Sequence, residues 1–298
     1  SSLHLAMLPS QIGRNIYEAA APLMLDRLRG KQPRKKTPAP LSIANFNKAI
    51  SPDRGFVWCS LPLQDIKTVK NHFEVTLNDV VMTLVGSAMR NYLLEQDALP
   101  EHALKAMMAV SLRSEDDDQF SNKVTNVPVP LATDIDDPRQ RLQAITSQSG
   151  DAKNSARGGR VGPMEIFQML PPIAVSTLMG NLPPDRITEI LGANLVVSNV
   201  RGSPQPMYVA GARMETMYPI SILSDGLGIN FTCLSYSDQL DVGVVLAPEL
   251  CPHPWRIVDG LEDALAEYLA LARPKPKRKR KTARKPAPKK QKRAAASG

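Results

Sequence analysis

A chain of 298 residues with 43% hydrophobic content can bury the core of one large domain or two small ones. Its formal charge of +8 is local: thirteen of the 37 Lys and Arg fall in residues 273–298, which hold no acid, leaving 24 basic against 29 acidic residues elsewhere. A body near −5 excludes binding of nucleic acid by the body's charge.

Ser10 precedes Ile12, Ile16, Ala19, Ala20 and Leu23 at helical spacing, with Gly30 as a stop, which predicts an amphipathic helix over 10–29. Residues 31–40, KQPRKKTPAP, cannot continue it and read as a linker. Residues 1–40 are thus expected to be an amphipathic helix and a linker. A strand is expected over 55–63 and a helix over 65–73, with Ile66, Val69 and Phe73 on one face.

The segment 75–92, VTLNDVVMTLVGSAMRNY, carries Val81, Leu84, Val85, Ala88, Met89 and Tyr92 at helical spacing, which predicts a buried helix. Asn78 stands where an N-cap should be. An Asn78-Asp79 pair there closes first-turn N–H groups and sets a carboxylate against the positive helix end, which by itself needs no further role.

Period-two alternation from Leu104 to Leu112 predicts a strand, ended by an acidic loop at 115–118 that reads as a solvated tip; it lacks the Gly bend a calcium loop needs. A strand over 123–131 and a helix opened by Pro138 after Asp136 and Asp137 follow. Residues 150–162, GDAKNSARGGRVG, hold four Gly and three cations and read as a mobile surface loop. Lys153, Arg157 and Arg160 there are candidate partners for phosphate groups, without the strand-then-helix context of a P-loop.

A helix kinked at Pro171-Pro172 is expected over 163–179, then strands at 193–200, 207–213, 217–223, 228–237 and 240–246. Asp225-Gly226 reads as a hairpin turn. Pro254 opens a last helix with Val258, Leu261, Leu265 and Leu269 on one face, ended at Arg273-Pro274.

The tail 273–298 has no apolar residue larger than Ala or Pro and is expected to be disordered. An anionic lipid surface, nonspecific nucleic acid and no specific partner are the three readings open for it. Cys59, Cys233 and Cys251, an odd number without paired spacing, argue against a disulfide framework or a zinc site and fit a reducing compartment. No run approaches the eighteen or so apolar residues of a membrane span, so any membrane contact is expected to be peripheral. The missing initiator Met suggests that the chain begins inside a longer reading frame or was trimmed.

Acyl, hydrolase and dinucleotide chemistry leave different marks. The four His, at 4, 72, 102 and 253, have no partner at useful spacing, no Gly-x-Ser-x-Gly elbow occurs, and no Gly-x-Gly-x-x-Gly opens a helix. Pattern alone supports an α/β or α+β fold.

Six pieces carry a family likeness in order: FNKAIS at 46–51, SLPLQDIKTVKNHF at 60–73, NDVV at 78–81, AVSLR at 109–113, NVPVPLATDIDDPRQRLQAI at 126–145 and SNVRGSPQPMYVAGARMETMYPIS at 198–221. The chain resembles the bacterial wax ester synthase/diacylglycerol acyltransferase family from about residue 41 to residue 271. The resemblance implies the C-terminal half of the coenzyme-A-dependent acyltransferase fold over 41–272, a mixed sheet with packed helices.

Enzymes of that family carry two His followed three residues on by Asp-Gly in an N-terminal half, and this chain has no adjacent His pair. The general base is therefore expected in that other half, with this half supplying one wall of the active site and lipid tunnel, inactive alone. Asn78 and Asp79 are then expected to position the His-bearing segment. The implied reaction moves a fatty acyl group from acyl-CoA, the co-substrate whose phosphates Lys153, Arg157 and Arg160 would then contact, to diacylglycerol or a long-chain alcohol, with no cofactor. The implied location is cytoplasmic, peripheral to membrane or lipid bodies. The alternative is a non-catalytic lipid- or nucleic-acid-binding module that has lost the catalytic half.

Overall fold

The computed structural model describes residues 41–111, 124–157 and 180–273, with single positions at 171 and 177. The readings made for 1–40, the acidic loop at 115–118, most of 163–179 and the basic tail beyond Arg273 lie outside the described residues, as does Arg160.

Strand β1 (Gly55–Pro62) is followed by helices α1 (Leu63–Phe73) and α2 (Leu77–Leu94), strands β2 (Lys105–Ser111) and β3 (Val124–Pro130), and helix α3 (Pro138–Arg157). Helix α4 (Pro184–Leu191), strand β4 (Leu195–Arg201), the short pair β5 (Tyr208–Val209) and β6 (Ala212–Arg213), strands β7 (Ile229–Tyr236) and β8 (Gln239–Leu246), and helix α5 (Trp255–Ala272) complete it. The main sheet runs β1-β8-β7-β4-β2-β3. Strands β2, β4 and β7 are parallel to one another, while β8, β1 and β3 run against their neighbours.

Alternation along the strands divides the molecule into two layers. Val57, Cys59 and Leu61 of β1, Ala106 and Met108 of β2, Val197 of β4 and Phe231 and Cys233 of β7 enter one core with α1, α2, α3 and α5. Met107 and Val196, one residue out of phase, face the other way and pack with Ile187 and Leu191 of α4. The eighteen-residue α2 is buried almost all round between sheet, α3 and α5, which explains its apolar length. Helix α3 starts as expected at Pro138, where Asp137 Oδ1 accepts from Gln140 N at 2.9 Å.

Several expectations are corrected. Residues 150–157 are the last turns of α3, not a loop, because Ser149 and Lys153 are tied to α2 as described below. Helix α4 was not anticipated, although Pro184 at its first position, Ile187 and Leu191 four apart, and Gly192 just beyond are local signals for it. The strand expected over 207–213 is a two-residue hairpin turning at Ala210 and Gly211, both of positive φ.

The strand expected over 217–223 joins no ladder. This segment lies across the far face of β1, β8 and β7 as a strap. Met217 N donates to Asp241 Oδ2 at 2.7 Å, Asn230 Nδ2 to the Ile222 carbonyl at 2.9 Å, and the Ser221 and Thr232 hydroxyls meet at 2.6 Å. A Cβ on Gly243 would sit 2.0 Å from the Pro219 carbonyl oxygen, so glycine is what lets the strap lie down. Asp225-Gly226 makes a tight turn closed by a Ser224–Leu227 bridge, but it links the strap to β7 rather than two paired strands. Its Asp225 Oδ1 accepts from Ile50 N at 2.9 Å, and the Gly226 carbonyl from Asn47 Nδ2 at 2.7 Å.

Candidate active-site wall

Because β2, β4 and β7 are parallel, their carboxyl ends open on one edge of the sheet, where α/β proteins commonly place ligands. The first turn of α2 reaches that region, since Asn78 Nδ2 donates to Met108 Sδ of β2 at 2.9 Å. The N-cap is not Asn78 but Thr76. Its hydroxyl accepts from Asp79 N at 3.2 Å, and Asp79 Oδ2 accepts from Thr76 N at 3.0 Å, a reciprocal capping box.

Asp79 is 2% exposed, and both of its oxygens are engaged. Oδ2 also accepts from Thr76 Oγ1 at 2.6 Å; Oδ1 takes the hydroxyl of Ser149 and faces Lys153 Nζ at 3.6 Å. One buried carboxylate thus closes the start of α2 and fastens the last turns of α3 to it. Of the three cations expected near coenzyme A, Lys153 is committed to this ion pair, Arg157 ends α3, and Arg160 is not described.

Asn78 is different. It is half-buried, its one described donation goes to a thioether, a weak acceptor, and its amide oxygen has no described partner. An amide held this way retains capacity for a ligand or another segment. Thr76→Ala should therefore cost about 1 kcal/mol as a lost cap, whereas Asn78→Ala should cost under about 0.5 kcal/mol. Thermal melts of the two variants check this, and equal losses would return the cap to Asn78.

A second amide was missed by sequence reasoning. Val197 of β4 lies beside Met108 of β2 in register and faces the helical core. Asn199, two residues or about 7 Å further along β4, has the same side-chain parity, and is half-buried without a described side-chain hydrogen bond. Asn78 and Asn199 therefore mark the helix-facing side of the carboxyl edge. The alternation of β4 could have found the parity of Asn199, but not the neighbour it shares.

The thiols supply no nucleophile here. Burial pushes Cys59, Cys233 and Cys251 each up to about 12, so they stay protonated at neutral pH. His72 is exposed on α1, edge-on to Phe73 at 4.7 Å, and His253 is exposed with φ of 52°. The arrangement presents neutral amide donors and acceptors beside a helix start, able to orient an uncharged polar group.

The class is defined by comparison with a solved structure. The wax ester synthase/diacylglycerol acyltransferase from Marinobacter aquaeolei VT8 superposes with a TM-score of 0.62 at 32% identity, covering 86% of this chain and 57% of that one. The fold is that of the coenzyme-A-dependent acyltransferases. A putative diacylglycerol O-acyltransferase of Mycobacterium tuberculosis (strain ATCC 25618 / H37Rv) is 35% identical over 228 residues, 75% of this chain and 45% of the relative. The O-acyltransferase WSD of Acinetobacter baylyi is 33% identical over 231 residues, 76% and 48% respectively. The model of the WS/DGAT C-terminal domain matches residues 120–268, and that of the wax ester synthase/diacylglycerol acyltransferase catalytic domain matches residues 11–81. The chain belongs to the wax ester synthase/diacylglycerol acyltransferase family. It spans about half the length of the curated relatives it matches.

Proposed function

We propose that this chain is the C-terminal half of an acyltransferase that moves a fatty acyl group from acyl-CoA to diacylglycerol or a long-chain alcohol. The observation that carries the reading is the α2 start: Asp79 locks the helix to α3, leaving Asn78 aimed at the sheet's carboxyl edge with spare hydrogen-bonding capacity. Asn78 positions the His-bearing segment of the other half through its amide. Asp79 acts one step back, as the group that holds Asn78 in place, and moves no proton.

Acyl-CoA is the co-substrate and no cofactor is needed, since transfer from a thioester to a hydroxyl requires only a base and donors for the developing oxyanion. With Lys153 paired to Asp79, the phosphate contact on this side falls to Arg157 and Arg160. The other half docks on the strap, whose Ile220 and Ile222 are 72% and 87% exposed and carry no polar handle, the mark of a surface made for a dry contact. Among the described residues no helix is long and apolar enough to cross a membrane. Attachment to membrane or lipid bodies is peripheral, with the tail from Arg273 contributing on the order of 1 kcal/mol per cation at an anionic surface.

The test is made with this chain joined to a family N-terminal half. Asn78→Ala should lower kcat more than about tenfold, a loss near 1.4 kcal/mol of transition-state stabilisation, at an unchanged melting temperature. Normal turnover in that variant would remove Asn78 from the site.

A further inference from the structure

Both tryptophans of the chain lie in one exposed patch. Trp58 projects from β1 on the side away from the helices, 40% exposed, and Trp255 opens α5, 48% exposed. Their rings meet edge-on at 5.1 Å, with Phe56 stacked on Trp58 at 5.5 Å and Tyr218 of the strap at 5.9 Å. The Tyr218 hydroxyl is turned inward to Ser60 Oγ at 3.0 Å. Neither indole N–H has a described hydrogen-bond partner.

Charge around the patch is spent locally. Arg256, next to Trp255, is bound to Glu95 and Asp259, and Arg54, at the start of β1, donates to the Ser51 and Asp53 carbonyls. With one arginine shared by two carboxylates, and Glu262 and Asp263 exposed further along α5, no cation is left over at the start of that helix for an anionic headgroup. Two aromatic bodies with free N–H groups suit a boundary that is apolar on one side and wet on the other. Ile220 and Ile222 on the strap have no such polar edge; the two surfaces adjoin at Phe56, which also lines the hollow beside the two isoleucines, and differ in chemistry beyond it.

We infer that Trp58, Trp255 and Phe56 form a contact surface for an uncharged lipid interface, through which the water-insoluble acceptor reaches the protein. The inference rests on the acyltransferase reading for the class of acceptor. The two tryptophans are 40% and 48% exposed, so each leaves apolar area that an interface would take out of water.

The experiment uses the 298-residue chain and phosphatidylcholine vesicles containing diacylglycerol, which carry no net charge and so give a basic tail no hold. Indole emission should move to shorter wavelength on vesicle addition and be quenched by brominated acyl chains, in the parent and in each of Trp58→Phe and Trp255→Phe. A Trp58→Ser, Trp255→Ser double variant should lose vesicle affinity by about tenfold or more, with its fold checked by circular dichroism. Co-sedimentation with unshifted emission, absence of co-sedimentation, or a shift produced only by the family's N-terminal half would each overturn the inference. The readout involves no turnover. Shifted indoles with an inactive joined enzyme would count against the acyltransferase reading alone, and unshifted indoles with an active one against the lipid contact alone.

Discussion

Given acyl-CoA and diacylglycerol, the 298-residue chain by itself is expected to release coenzyme A no faster than a protein-free control. The attacking hydroxyl needs a base, an effect worth typically 10²–10⁴ in rate, and oxyanion donors, worth about as much again. Asp79 is the acid nearest the candidate wall among the described residues, and its oxygens are taken by Thr76, Ser149 and Lys153. Joining or co-expressing a family N-terminal half with its His pair should bring turnover up to the 1–10³ per second common among enzymes. Changing Ile220 and Ile222 together to Asp should prevent that rescue while leaving this chain's own melting nearly unchanged, because both side chains already face water. Thiol release followed with a chromogenic disulfide measures both results. Turnover by the chain alone, abolished by replacing one of its own four His, would sink the proposal.

Asp79→Ala is expected to be the most destabilising single change at the wall. It removes the cap acceptor of α2, about 1 kcal/mol, and leaves the buried Ser149 hydroxyl without its carboxylate, a further 1–3 kcal/mol or so. A total of about 2–4 kcal/mol corresponds to a fall in Tm of roughly 4–16 °C for a domain of this size. Lys153→Met should cost less than about 1 kcal/mol, since Lys153 is partly exposed and its ammonium stands 3.6 Å from the carboxylate. Denaturant unfolding of the three chains measures the difference. If Asp79→Ala melts like the parent yet silences the joined enzyme, Asp79 has a direct part in the site and its bracing role is wrong.

Local order was legible in the sequence where it depends on near neighbours. Apolar spacing in α2 and α5, alternation in β2, and Pro138 behind two acids all follow from periods of 3.6 and 2 and from chain-end chemistry. So was the family, carried by short pieces in order. The capping box is also a local signal, because Thr76 and Asp79 are three apart, although Asn78, two residues on, is of a type that ranks above Thr as a cap.

Other features were decided by contacts distant in sequence. Residues 217–223 alternate like a strand, but a ladder needs a partner, and β8 already has β1 and β7 on its two sides, so the segment lies on the sheet's face and bonds to side chains. Residues 150–157 have a loop's composition and form helix because Asp79, about seventy positions earlier, accepts from Ser149 and pairs with Lys153. Asn199 was just another polar residue in a strand until the parallel β2–β4 register set Val197 beside Met108 and so carried Asn199 toward the edge where Asn78 lies. Periodicity determined which side of an element is apolar; only packing determined what that side meets, because loop closure lets residues a hundred positions apart become neighbours at a cost that grows slowly with separation.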